Sequence, residues 1–291
     1  MTALAAARHL PASGIGSLMA YWRFYRAVAA AQLAGWLAES AHGPDLLVDA
    51  SGPHLPCAAQ AAAQGHYVIR AMPSDPPGYV LPAAHLALPL EGLSPAAQPL
   101  VRAGGRPGPG GLPDRCAQDR PVGGLITTVQ ADLAALPFLD SRSIDGVIAD
   151  DRTLSRHLFT EQAIAEIARV LRPGGRLLAC FDSLVLGMAI LAEQRHWAEL
   201  TDIPSAEVVL VPWPDGTITR CFGVEQLREL FAEAGLEITW IRPRTVLSPT
   251  AVEHVLGLDA DALTHLVRAE LAAHPDESVG IHLIVSARKC V

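Results

Sequence analysis

Charge is scarce in this chain: 18% of its 291 residues are Asp, Glu, Lys or Arg, and no run of Lys or Arg occurs. What charge there is leans acidic, to a net −8. Nucleic-acid binders meet phosphate with a basic face or stripe, so no nucleic-acid partner is expected. Cysteine is scarce as well, with five residues at 57, 116, 180, 221 and 290. An odd, scattered set excludes a disulfide framework and a zinc knuckle, and it reads as small buried hydrophobes in a reducing compartment. Long apolar runs are missing too. Arg8 and His9 interrupt the apolar N-terminus before a signal-type core develops, and no stretch of about eighteen apolar residues follows. The expectation is a cytoplasmic protein without a membrane partner.

Hydrophobic residues, by contrast, make up half of the chain. That is ample for a buried core, and the length suits one large domain or one domain with insertions. From Gly16 to Glu39, Leu18, Tyr21, Trp22, Tyr25, Val28, Ala29, Leu33 and Trp36 recur at spacings of three and four, the stripe of an amphipathic helix. Gly43-Pro44 stops it. Leu46 to Ala50 is a short apolar run ending in an acid, as in a buried parallel strand. An Ala-rich helix from Leu55 to Gln64, closed by Gly65, and a strand from Tyr67 to Ala71 complete a βαβ unit. Between Pro73 and Gly124 stand eleven of the 23 prolines and nine of the 24 glycines, a density that forbids long helices and central strands. That stretch is read as an irregular excursion with at most a short helical piece over 96–102.

Regular patterning resumes with strands over 125–130 and 144–149. Thr160 is read as the N-cap of a helix reaching Leu171, and Arg172-Pro173-Gly174-Gly175 as the turn into a strand over 176–181. Strand and helix alternate, which implies a doubly wound, Rossmann-like α/β sheet. The stretch 183–219 breaks that rhythm; Val208–Val211 and Thr217–Thr219 flank Pro214-Asp215-Gly216 and predict a hairpin flap. A helix over 224–234, a strand over 236–242, helical pieces over 250–256 and 259–273 and a last strand over 280–286 complete the chain.

Gln130-Ala131-Asp132-Leu133-Ala134-Ala135-Leu136-Pro137-Phe138-Leu139-Asp140, followed by Ser143-Ile144-Asp145-Gly146-Val147-Ile148, resembles a signature run of class I S-adenosylmethionine (SAM)-dependent methyltransferases of the type 11 group. Ala165 to Leu177 resembles their helix–turn–strand passage, Phe222 to Leu236 the helix before their closing strands, and His282 to Lys289 their last strand. The resemblance implies a mostly parallel sheet with its last strand antiparallel, an N-terminal helical lid over 1–44, and a methyltransferase-like domain over 45–291. The excursion (73–124), the flap (183–219) and a helical segment (244–278) are insertions in it.

It also implies SAM as cofactor, laid across the carboxyl ends of the strands where strand order reverses. Aligned on Asp49, the family's three glycine positions hold Ser51, Pro53 and Leu55, with Gly52 between them, so the glycine-rich turn is degenerate. Asp49 is placed near the methionine amino group, or else as a cap of the turn. The family's ribose carboxylate falls at Met72 or Ala71, neither of which accepts two hydrogen bonds, with Asp75 as a substitute. Asp132 takes the position that meets the adenine amine, with the Leu133 backbone beside it. Asp150, Asp151 and His157 are candidate general bases, Arg23 on the first helix a partner for the methionine carboxylate, and Trp213 either a pocket wall or an anchor for the flap. No metal site is expected.

Two functions stay open. One is methyl transfer to a small molecule; the other is a catalytically silent relative that binds a protein partner, a homodimer among the options. A third use of the same hollow, for another ligand or reaction, has no nucleophile elbow, metal triad or phosphate loop behind it.

Overall fold

The computed structural model describes residues 18–40, 43–52, 54–73, 124–203, 206, 208–213, 216–273 and 280–290. Asp75, the piece read as helical over 96–102, Cys116 and the turn residues Pro214 and Asp215 lie outside them.

The chain enters as helix α1 (Met19–Ala38) and alternates through β1 (Leu46–Asp49), α2 (Cys57–Ala63), β2 (Tyr67–Met72), β3 (Ile126–Gln130) and β4 (Ile144–Ala149). Two helices, α3 (Thr153–Arg156) and α4 (Thr160–Val170), lead to the long strand β5 (Leu171–Ser183). Then come α5 (Leu184–Glu193), α6 (Trp197–Asp202), β6 (Val209–Pro212), β7 (Ile218–Phe222), α7 (Val224–Glu233) and β8 (Leu236–Pro243). The chain closes with α8 (Pro249–Leu258), a 3₁₀ turn (Ala260–Ala262), α9 (Leu263–Ala272) and β9 (His282–Lys289).

One sheet results. β3, β2, β1, β4 and β5 lie side by side and parallel. Beyond β5, β9 runs antiparallel from Arg176 to Asp182, and β8 pairs antiparallel with β9. The β6–β7 hairpin joins only the tip of β5, at Asp182 and Ser183. The chain winds outward from β1 to β3 and returns to β4 on the other side of β1. Strand order therefore reverses between β1 and β4, the place where such sheets leave a crevice. The doubly wound, mostly parallel architecture with an antiparallel last strand is as the sequence resemblance implies.

Both faces of the sheet are covered, and period-2 alternation sorts the side chains between them. Leu178, Cys180, Ile148 and Ile284 turn toward α1 and α2, into a cluster with Leu33, Trp36 and Ala61. Leu177, Ala179, Phe181, Val147 and Val285 turn the other way, onto Ile164, Ile167, Leu227 and Phe231 of α4 and α7. Close approach of α1 requires glycine at 146, since a Cβ there would fall 3.0 Å from Cη2 of Trp36 and 2.9 Å from Cδ2 of Leu47. Arg176 stacks on the Trp36 ring at 4.4 Å and donates to the Trp36 carbonyl at 2.7 Å, which satisfies an otherwise open group at the helix C-terminus. The first half of α1 leaves the sheet and packs its Tyr21, Phe24 and Val28 against Val252 and Leu256 of α8.

Two expectations are corrected. Thr160 is the first residue of α4 rather than its N-cap: Phe159 takes the cap position, and the Thr160 hydroxyl donates back to the Leu154 and His157 carbonyls. The stretch 183–219 does contain the predicted hairpin, but two helices precede it. The first, LVLGMAILAE, is apolar almost all round, so no 3.6-residue stripe marked it. Of the cysteines, 57, 180 and 221 are buried and unbridged, as expected, while Cys290 is exposed. Among the described residues no helix is long and apolar enough to cross a membrane.

Phe181 joins the two halves of the second core face, edge-on to Phe222 at 5.2 Å and to Phe231 at 6.0 Å. Phe181→Ala is expected to cost about 3–5 kcal/mol, through lost transfer energy plus the cavity it leaves. Urea unfolding measures this; a loss below about 1 kcal/mol would mean that the site collapses without a void.

A candidate active site at the carboxyl ends of the strands

Every strand of the parallel set delivers its last residues to one edge, and polar side chains gather there. Asp49 ends β1. It is 1% exposed, accepts the Ser51 amide at 2.9 Å, and forms no ion pair among the described residues. Burial pushes its carboxyl pKa up, against the lowering pull of hydrogen bonds from Ser51 and of the Arg70 charge on β2. The turn beyond it is pressed onto the end of β4. The Asp150 amide donates to Ser51 Oγ at 3.1 Å, and a Cβ on Gly52 would fall 2.1 Å from Asp151 Oδ2. Glycine at 52 therefore admits an acid of the protein's own next to the backbone. His54 stands 4.0 Å from the same oxygen.

Asp150 and Asp151 end β4, as expected, yet their surroundings differ. Both oxygens of Asp150 accept from Nη2 of Arg244, at 2.6 and 2.8 Å, and Oδ1 also takes the Asp151 amide at 2.7 Å. Asp150 and Arg244 are 2% and 1% exposed. Burial draws the guanidinium pKa down, but the facing Asp150 charge outweighs this and the net shift is upward. Such a saturated carboxylate is poorly placed to take a substrate proton. Asp151 and Arg152 both adopt left-handed backbone, with φ of 57° and 61°, so the chain makes a tight, strained turn. The turn aims Arg152 at Asp182, 3.5 Å away at the end of β5.

His157, the third candidate base, sits elsewhere. Its Nε2 lies 3.0 Å from Asp132 Oδ1, which also accepts the Ala134 amide at 2.9 Å. That amide, and then His157, holds the Asp132 carboxyl below its ordinary range. The structure thus separates His157 from Asp150 and Asp151 and joins it to the predicted adenine-side acid. Leu133 beside it is buried in the core. Arg23 is not brought to the site: two residues from Tyr21 and from Tyr25, it occupies the opposite, exposed side of α1. Trp213 is a buried anchor of the hairpin, its indole donating to Thr219 at 2.8 Å.

The tyrosines of α1 are the participants that face inward. Tyr25 Oη meets His282 Nδ1 at 3.0 Å, and His282 Nε2 lies 3.3 Å from Asp182 Oδ1. Tyr21 Oη meets Thr245 Oγ1 at 3.0 Å; burial pushes its phenol pKa up to about 12 and that of Tyr25 well above its usual range. Arg244 lies over the Tyr25 ring at 5.6 Å, and its Nε and Nη1, although buried, have no hydrogen-bond partner among the described residues. Sequence reasoning missed Arg244, Asp182 and His282. The one available signal was position, because each stands at the edge where carboxyl ends of parallel strands converge. Among the described residues no group of three or more acids, histidines or cysteines is placed to hold a metal.

Removing one member of the buried pair strands the other. Asp150→Asn and Arg244→Met are each expected to cost about 3–5 kcal/mol, while the double variant recovers a large part of that loss. Additive losses in denaturant melts would show that the two charges act independently. At the other end, His157→Ala is expected to raise the Asp132 pKa only part of the way to its ordinary value, because the Ala134 amide remains. Asp132 is depressed in the folded state, so its contribution to stability is present above its unfolded pKa and fades as pH falls through the folded one. Carboxyl ¹³C titration reads both effects, and an unmoved Asp132 pKa would refute the pairing.

A family model described as a methyltransferase domain matches residues 112–179, a span that includes Asp132, Asp150, Asp151 and His157. No curated protein sequence matches the chain. A solved Burkholderia thailandensis 1,6-didemethyltoxoflavin-N1-methyltransferase with bound S-adenosylhomocysteine is 16% identical, over 92% of this chain and 79% of that one, with a TM-score of 0.47. A Methanosarcina mazei SAM-dependent methyltransferase is 15% identical over 88% and 97%, with a TM-score of 0.49. One from Mesorhizobium loti is 16% identical over 90% and 96%, with a TM-score of 0.46. Residues 112–179 thus match a methyltransferase domain, and the described part of that span lies within a doubly wound, mostly parallel sheet whose last strand is antiparallel.

Proposed function

We propose that the chain transfers a methyl group from SAM to a small molecule, with the cofactor lying across the carboxyl ends of β1 to β4. One observation carries this reading. Asp49 is a buried acid at the strand-order reversal that forms no ion pair among the described residues, the Arg70 charge reaching it only from the neighbouring strand β2. A buried carboxylate without a direct cationic contact is costly, and a ligand ammonium beside it would reduce that cost. The methionine amine of SAM has this chemistry.

The remaining residues fit the group at its two ends. Asp132 and the Leu133 backbone, at the end of β3, suit the adenine amine and its neighbouring ring nitrogen. The β1 turn is a tighter cradle than a glycine-rich one, because Ser51 and Gly52 direct their amides to Asp49 and to the Asp150 carbonyl. At the end of β2 no carboxylate among the described residues meets the ribose. When bound, SAM would supply an electrophilic methyl carried on sulfur. The chain's own share is to hold the cation end, align the acceptor and exclude water. The β6–β7 hairpin and α8–α9 would set acceptor choice, as variable segments on a rigid scaffold do.

Titration calorimetry with S-adenosylhomocysteine (SAH) is expected to show binding, and a thermal melt an upward shift with ligand; no heat at millimolar SAH would end the methyltransferase reading. Asp49→Asn separates function from stability. Folding raises the Asp49 pKa, so the native state favours the protonated acid, and stability is lost as pH rises through the folded pKa. An amide keeps the bond from Ser51 and does not ionise. The variant is expected to melt higher than the parent near neutral pH yet bind SAH about 10–100-fold more weakly, as befits one lost charge-assisted hydrogen bond. Unchanged SAH affinity would remove Asp49 from the site.

A further inference from the structure

Three side chains from distant parts of the chain line up behind the cofactor edge. Tyr25 of α1, His282 at the start of β9 and Asp182 at the end of β5 form a chain, with 3.0 Å from Tyr25 Oη to His282 Nδ1 and 3.3 Å from Nε2 to Asp182 Oδ1. Proton bookkeeping gives the chain a direction. Asp182 Oδ1 faces Nε2 as a charge contact rather than a hydrogen bond, and a carboxylate on that side favours the tautomer with hydrogen on Nε2, in which Nδ1 has the lone pair that receives the Tyr25 hydroxyl. Asp182 is fully buried and faces Arg152 Nη1 at 3.5 Å, which keeps a negative charge tolerable behind the imidazole. A phenol, an imidazole and a carboxylate in this sequence repeat the logic of an activated hydroxyl: base behind it, orienting acid behind the base.

A second, independent observation points to a ligand in front of it. Arg244 lies over the Tyr25 ring, is 1% exposed, and leaves Nε and Nη1 without a hydrogen-bond partner among the described residues. Buried donors of this kind are nearly always satisfied, so a polar group belongs beside Tyr25. Asp150 cannot provide base catalysis from the same place, since Arg244 and the Asp151 amide occupy its oxygens.

We propose that Tyr25, His282 and Asp182 form the proton-accepting relay of the site, and that the methyl acceptor is a hydroxyl or amine which must shed a proton as it is methylated. This inference rests on the methyltransferase reading. As the bond between the acceptor heteroatom and the methyl carbon forms, the acceptor's proton passes to Tyr25 Oη. The phenol's own proton passes to His282 Nδ1, and the carbon–sulfur bonding pair stays with sulfur. His282 ends as an imidazolium against Asp182 and Arg152, and later returns its proton to solvent. Tyr25 is the catalytic residue of the three; His282 and Asp182 act through it.

The test compares the full-length parent with Tyr25→Phe, which keeps the ring, and His282→Asn, at saturating SAM. The acceptor is a mixed pool of phenols, alcohols, amines and thiols, with products read by mass. Products methylated on oxygen or nitrogen are expected, with both variants slowed about 10²–10³-fold while SAH affinity stays within about twofold. Thiol products alone, or parent-like turnover in Tyr25→Phe, would overturn the relay. Imidazole ¹⁵N NMR of the SAH complex gives a readout that needs no turnover. The expected state at neutral pH is neutral, with hydrogen on Nε2, and an Nδ1 resonance that moves in Tyr25→Phe and on adding phenol to the parent. An imidazolium persisting from pH 5 to 9, or an Nδ1 signal indifferent to both changes, would count against it. If SAH itself fails to bind, the methyltransferase reading falls; if it binds and Tyr25→Phe is indifferent, only the relay does.

Discussion

The Asp150–Arg244 ion pair is the constraint around which the functional edge is assembled. It fastens the end of β4 to the segment that follows β8, 94 residues later, inside the protein. Three further placements depend on it. With Asp150 fixed, its Oδ1 takes the next amide and bends the chain through two left-handed residues, each costing about 1–3 kcal/mol. That bend delivers Asp151 against Gly52 and Arg152 against Asp182. On the other side, Arg244 stacks on the Tyr25 ring and so sets the height of α1 over the strand ends. A buried ion pair seldom adds net stability over well-packed apolar groups. Its value here is positional, because it holds strained backbone and four polar side chains in one arrangement.

The sheet supplies the rigidity against which that arrangement is set. Its two faces are apolar and alternate without interruption from Leu177 to Phe181, so a one-residue slip would turn each core side to the other. The polar residues are confined to the strand ends, where peptide groups no longer pair along the sheet and side chains must satisfy one another. This division explains why a fold of modest charge content concentrates so many ionisable groups at one edge. A site built on strand termini is held to closer tolerance than one carried on long loops.

How much of this could be read beforehand depends on the range of the interactions. The strands Leu46–Asp49, Ile126–Gln130 and Ile144–Ala149 announce themselves as β-branched or apolar runs bounded by glycine and acids, and their observed limits fall within one residue of the sequence reading. The acids that close β1 and β4 were legible for the same reason: position along a strand is local information. α5 was not, since a helix buried on most sides shows no amphipathic period. The grouping of Tyr25, Asp150, Asp182, Arg244 and His282 was invisible because its members are up to 257 residues apart and meet only through sheet order. Nor could local reasoning tell Asp150 from Asp151. The neighbours that separate a saturated carboxylate from its partner, Arg244 in particular, come from a distant segment of the chain, just beyond β8.

Charge balance at the edge ties these features to the proposed chemistry. Asp150 is matched by Arg244, Asp182 by Arg152, and Asp151 has Arg156 and His54 each 4.0 Å away. Asp49 is left as the buried acid of this edge with no ion pair among the described residues, and only the Arg70 charge acts on it, from β2. SAM carries a sulfonium, an ammonium and a carboxylate, a net charge of +1, so its cation end would neutralise Asp49 without disturbing the pairs already made. A neutral hydroxyl or amine acceptor adds no further charge to a region where the cost of an unmatched ion is high. Transfer of the methyl group discharges the sulfonium and releases one proton, and the net charge at the edge is conserved if that proton stays on His282. In the proposed transfer, charge would move from sulfur to imidazole within one buried cluster, with Asp182 and Arg152 already in place, which is how a preorganised site lowers the cost of charge displacement.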